Sequence, residues 1–120
     1  MEIQERTLEF GVKILKYLDK LPRTTGGTVL AKQLARSGTS IGANMEEADG
    51  ASSKNDFINK VTIARKEARE TRYWLRLIQK TEMVNTVQNK QELEVLINES
   101  HELMRILSAI TNKAKEKKGY

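Results

Sequence analysis

Arg65, Arg69, Arg72 and Arg76, followed by Lys80, are spaced four, three, four and four residues apart. On a helix turning about 100° per residue, these five cations fall within an arc of ~80°. A row of guanidinium groups is suited to bidentate contacts with phosphate or carboxylate oxygens. Lys66 stands at the edge of the row. Between Lys60 and Lys80 there are seven cations against only Glu67 and Glu70, and Lys113, Lys115, Lys117 and Lys118 make a second basic run near the C-terminus. From Glu82 to Glu102 the chain is acidic, with Lys90 the only cation. Clustered positive charge on a chain of formal net charge +5 favours phosphate polyanions or an acidic protein surface.

Catalytic chemistry has little material. The chain has no cysteine, so there is no thiolate nucleophile, disulfide framework or Cys-based zinc site. His101 is the only histidine, and position 98 is Asn98, so the Glu-x-x-His pairs of di-iron bundles are missing. We therefore expect no catalytic residues, no metal and no cofactor.

A second group of polar residues borders the apolar stripes. Ser37 and Asn44 are seven apart, as are Ser40 and Glu47, while Glu67 and Glu70 flank the apolar heptad described below. Carboxylates at a helix seam need donors, which Asn44, Ser37, Ser40 or Arg36 can supply. We read Ser37, Ser40, Asn44, Glu47, Glu67 and Glu70 as a structural polar layer that fixes helix register.

The elements that must position these groups are helical. Asp56 to Lys80 contains no Gly or Pro, and Phe57, Val61, Ala64, Ala68, Thr71, Leu75 and Ile78 repeat with spacing 4-3-4-3-4-3, close to the 3.5 period of helices packed side by side. Ile63, Trp74 and Leu77 form a second apolar arc on the same helix, which implies two packing partners, either inside the bundle or across a subunit boundary. A first helix is expected over about 5–20, with Leu8, Val12, Leu15 and Leu18 on its packing face and Ile14 beside them, stopped by Pro22 and a polar loop from Arg23 to Gly27. A second is expected over 28–48 with the stripe Leu30, Leu34, Ile41, Met45 and Ala48. Here Ala31, Ala35, Gly38 and Gly42 offer a small-residue face to a neighbour. A third is expected over 54–81, opened by a Ser53/Asp56 capping box. The fourth is expected over 90–114, capped by Asn89 with Glu92 and fraying from Lys115 to Tyr120; its apolar face holds Leu93, Leu96, Ile97, Ser100, Leu103, Met104, Leu107, Ile110 and Ala114. No stretch alternates with period two over a useful length. The expectation is an all-α protein, an antiparallel up-down four-helix bundle forming a single domain over 1–120. No apolar run reaches the ~18 residues of a membrane span, and no signal peptide is evident, so the expected location is cytoplasmic, with no membrane partner.

Leu34 to Gly42 has the outline of a helix-turn-helix turn, but the element after it would carry Glu46, Glu47 and Asp49 and no cation among DNA phosphates. A different likeness covers nearly the whole chain, from about Thr7 to Asn112. Gln33-Leu-Ala-Arg-Ser-Gly-Thr-Ser-Ile-Gly-Ala-Asn-Met-Glu-Glu-Ala48 and the stretch from Asp56-Phe57 through Ile63-Ala-Arg-Lys-Glu-Ala-Arg-Glu-Thr-Arg-Tyr-Trp-Leu75 resemble the small four helix bundle proteins encoded in intervening sequences of bacterial 23S ribosomal RNA genes. The resemblance implies an up-down bundle assembling as a homopentamer around a central channel. It also implies kinship with the basic, nucleic-acid-binding accessory proteins of diversity-generating retroelements. It supplies no catalytic residues.

The sequence thus supports a non-enzymatic, oligomeric helical bundle that binds RNA or DNA through Arg65, Lys66, Arg69, Arg72, Arg76 and Lys80. Its rival is an assembly module in which the same ladder pairs with Glu92, Glu94, Glu99 and Glu102 of a neighbouring subunit or with another protein.

Overall fold

Hydroxyl side chains open three of the four helices. Thr24 Oγ1 accepts from the Gly27 amide at 3.1 Å, Ser53 Oγ from the Asp56 amide at 3.0 Å, and Thr86 Oγ1 from the Asn89 amide at 3.1 Å. Each takes up an amide that the first helical turn leaves without a partner. The computed structural model describes residues 2–118. Its helices are α1 (Glu2–Tyr17, continued by a 3-10 turn over Leu18–Lys20), α2 (Thr25–Asp49), α3 (Lys54–Lys80) and α4 (Val87–Lys118), and the described residues contain no strand.

Several boundaries differ from expectation, the start of α1 at Glu2 among them. Gly26 and Gly27 lie in the first turn of α2 and not in a loop, because Thr24 caps the helix and its side chain accepts from the Gly27 amide. Likewise Thr86, not Asn89, caps α4, which therefore starts at Val87. The helix also continues to Lys118, past the expected fraying point; Gly119 and Tyr120 lie outside the described residues. At the end of α3, Glu82 takes φ 55°, and the Met83 amide reaches back to the Ile78 carbonyl, a Schellman closure with Glu where Gly is usual.

α1 packs on α2, α2 on α3, and α3 on α4, while α4 returns to α1 more sparsely, giving an up-down bundle about 53 × 21 × 19 Å. The core holds Leu30, Leu34, Ile41, Met45 and Ala48 from α2, the α3 heptad from Val61 onward, and Leu93, Leu96, Ile97, Leu103 and Leu107 from α4. Trp74 and Leu77 are half-buried against this core, so their arc finds a partner inside the bundle.

The first helix corrects the sequence reading. Its buried face is Ile3, Thr7, Phe10, Gly11, Ile14 and Tyr17, whereas Leu8, Val12 and Leu15 are exposed at 58%, 44% and 49%. α1 carries two apolar arcs. The one that turns inward holds the larger rings of Phe10 and Tyr17, which bury more area, and Gly11, which lets α2 approach. Gly38 and Gly42 face this seam from the other side: a Cβ at Gly38 would sit 2.9 Å from Ile14 Cγ2, and one at Gly42 3.2 Å from the Thr7 carbonyl oxygen.

The α2 start yields a sharp test. A Cβ at Gly27 would lie 2.0 Å from the Pro22 carbonyl oxygen, whereas one at Gly26 meets only the mobile end of Met83 at 3.2 Å. Gly27→Ala should lower stability by at least about 2 kcal/mol despite a better helix propensity. Gly26→Ala should be neutral or stabilising by up to ~1 kcal/mol. Urea unfolding midpoints of the two variants compare them directly.

Candidate nucleic-acid interface

α3 positions the cationic row by its register alone. With Val61, Ala64, Ala68, Thr71, Leu75 and Ile78 turned into the core, Arg65, Arg69, Arg72, Arg76 and Lys80 emerge on the flank centred roughly 110° away. The Gln79–Glu94 hydrogen bond of 2.7 Å shows that α4 borders α3 on this side. Arg65 and Arg72 are half-buried, and Lys66, Arg69, Arg76 and Lys80 are exposed.

The decisive feature is what these side chains lack. Ion pairs among the described residues join Arg6 to Glu99, Lys20 to Glu92, Arg36 to Glu67 and Glu70, and Arg105 to Glu102. None of the six cations of this row takes part in one. Arg72 goes further: its Nε is buried with no hydrogen-bond acceptor. An unpaired buried donor costs stability, and like charges at i,i+3 and i,i+4 cost a few tenths of a kcal/mol per pair. The fold thus carries the row at an energetic cost and, among the described residues, pairs it with no anion.

The carboxylates that the assembly-module reading offers as a neighbour's acceptors are already engaged. Glu99 accepts a two-pronged contact from Arg6, with both N–O distances 2.8 Å. Glu92 holds Lys20 at 2.5 Å, Glu102 holds Arg105 at 3.4 Å, and Glu94 accepts from Gln79. The Lys20 ammonium also keeps the Glu92 carboxyl below the usual carboxylate range. The Arg6–Glu99 and Lys20–Glu92 pairs clasp the sparse α1–α4 seam, where the Tyr17 hydroxyl donates to the Asn89 carbonyl at 2.8 Å. Burial, aided by Glu92, pushes that hydroxyl up to about 12, so it remains a neutral donor.

The polar residues of α2 and α3 divide into four settings. Ser37 is fully buried, its hydroxyl 2.8 Å from that of Thr71. Arg36 bridges Glu67, at 3.0 Å, and Glu70, and Glu70 also accepts from Trp74 Nε1 at 3.4 Å. Ser40 and Asn44 bond back along their own helix, to the Arg36 and Ser40 carbonyls. Glu47 is exposed and stands apart from the cluster. Thr71 is the member that the sequence reading left in the apolar heptad; its place opposite Ser37 was visible only as a polar residue within an apolar repeat. Glu67→Ala should cost about 1 kcal/mol in chemical denaturation, a modest loss because Arg36 is half exposed and keeps Glu70.

His101 is exposed on α4, and the described residues contain no group of three or more His, Cys, Asp or Glu placed to hold a metal ion. No described helix is long and apolar enough to cross a membrane. In the C-terminal basic run, Lys113 and Lys115 are exposed, while the side chains of Lys117 and Lys118 lie outside the described residues.

The sequence profile of the 23S rRNA-intervening sequence protein family matches residues 1–109. Among solved structures, the chain is similar to a protein of unknown function from the S23 ribosomal protein family of Bacteroides thetaiotaomicron VPI-5482. The two share 42% identity over 91% of this chain and 97% of that one, with a TM-score of 0.78. No curated protein matches it.

Proposed function

This chain belongs to the 23S rRNA-intervening sequence protein family, and we propose that it is a non-enzymatic, homo-oligomeric helical bundle that holds RNA or DNA by phosphate contacts along α3. The observation that carries this reading is the unpaired row Arg65, Lys66, Arg69, Arg72, Arg76 and Lys80. Phosphate supplies the acceptor oxygens that the protein itself withholds, and contacts of this kind give affinity and salt dependence with little base specificity. The assembly-module alternative loses support because Glu92, Glu94, Glu99 and Glu102 are engaged within their own subunit.

The exposed strip Leu8, Val12 and Leu15 supports the oligomeric half of the proposal. It borders a shallow groove whose floor includes Gly11, Thr39, Gly42 and Ala43. In a chain that is 31% charged, a helix face this poor in charge suits a second copy of the same protein. A ring of five is the form the family resemblance favours. It would carry a formal charge near +25 (five times +5) and repeat the cationic row around its circumference, so weak contacts would add as avidity.

The A260/A280 ratio of the purified protein, before and after a high-salt wash, tests this reading. Nucleic acid that co-purifies and is stripped by salt supports it. Protein that carries none and fails to bind added RNA or DNA at low salt contradicts it.

A further inference from the structure

Tyr73 is a large aromatic side chain left 56% exposed along one edge of a cationic face. On α3, Arg69 lies four residues before it and Arg76 three after, with Lys66 and Lys80 seven residues away on either side. At about 100° per residue, all four fall within roughly 60° of its direction. The arc from Arg72 round to Tyr73 contains no carboxylate, and Glu70, about 60° beyond Tyr73 on the other side, is taken up by Arg36. The ring is also braced. It meets Trp74 edge-on, with centroids 5.2 Å apart and planes at 66°. Trp74 is anchored through Nε1 to Glu70, and Glu70 is held by Arg36.

A braced, exposed ring flanked by unpaired cations has the parts of a stacking platform: cations to track the backbone and a π-face for a base. A duplex keeps its base faces stacked inside, whereas a single strand presents them. Resting on the phosphate-binding reading above, we infer that the ligand of the α3 face is single-stranded nucleic acid, one base of which stacks on Tyr73.

Fluorescence anisotropy with a labelled single strand and a duplex of the same sequence, at matched salt, tests this. The single strand should bind more tightly. Tyr73→Ala should weaken single-strand binding about five- to a hundredfold, the range of one lost stacking contact, and leave duplex binding nearly unchanged. Tyr73→Phe keeps the ring and should bind as the wild type does. Trp74, the only tryptophan, should change its fluorescence when the single strand binds. Tyr73→Ala that weakens both forms equally, or neither, overturns the inference, as does a Tyr73→Ala protein whose mass in solution falls. Failure of the underlying reading looks different: a protein lacking Arg65, Arg69, Arg72 and Arg76 would then bind both forms as the wild type does.

Discussion

Replacing Arg65, Arg69, Arg72 and Arg76 together with Gln should weaken binding to a generic RNA or DNA at least about a hundredfold at low salt, since each charge-assisted contact is worth 1 kcal/mol or more. The same variant should fold as well as the wild type or better. None of the four makes an ion pair, Gln is nearly as good a helix former as Arg, and the i,i+3 and i,i+4 repulsions along α3 disappear. Circular dichroism and light scattering should therefore show unchanged helicity and unchanged mass. A variant that keeps its affinity but dissociates into monomers would assign the row to a subunit contact. Unchanged affinity with unchanged mass would move the phosphate contacts to the C-terminal lysines, which deletion after Asn112 would then abolish.

The second large effect concerns assembly. Changing Leu8, Val12 and Leu15 to Gln should reduce the mass in solution to that of one chain, 13.7 kDa, without unfolding it, because all three side chains are exposed in the single bundle. Phe10→Ala on the opposite face of α1 should instead cost about 3–5 kcal/mol of stability, the usual penalty for emptying a core aromatic site. The contrast separates the two apolar arcs of one helix. If the triple variant keeps the wild-type mass, the strip is not where copies meet; if the wild type itself is monomeric, the oligomer is wrong. Loss of assembly should also lower apparent nucleic-acid affinity, since avidity goes with the ring.

The difference between α1 and α3 explains what could be read from the sequence. On α3, an uninterrupted heptad runs for about six turns and the cationic row keeps fixed phase with it for about four, so burial of one arc settles the direction of the other. The α2 stripe was equally legible, because Ser37 and Gly38 hold its phase between Leu34 and Ile41. α1 was not, since Leu8, Val12 and Leu15 alternate with Phe10, Ile14 and Tyr17, and both sets repeat with helical spacing. Only the close approach of Gly11 to Gly38, and of Thr7 to Gly42, decides between them, and that is a property of two helices together. The site was half legible for the same reason. Residue types placed Arg65 to Lys80 on one face. That Arg36 engages both Glu67 and Glu70, and that the acidic residues of α4 are engaged from α1, from α3 and within α4, depends on helix pairing that no single periodicity contains.

The claim on which the rest depends is that the α3 cations meet phosphate. It is tested most directly by the slope of log binding constant against log salt concentration for the wild-type protein with a generic single strand. Four phosphates neutralised by one subunit predict a slope of about −3, steeper if several subunits engage one strand. A slope near zero, with binding that survives high salt, would contradict it.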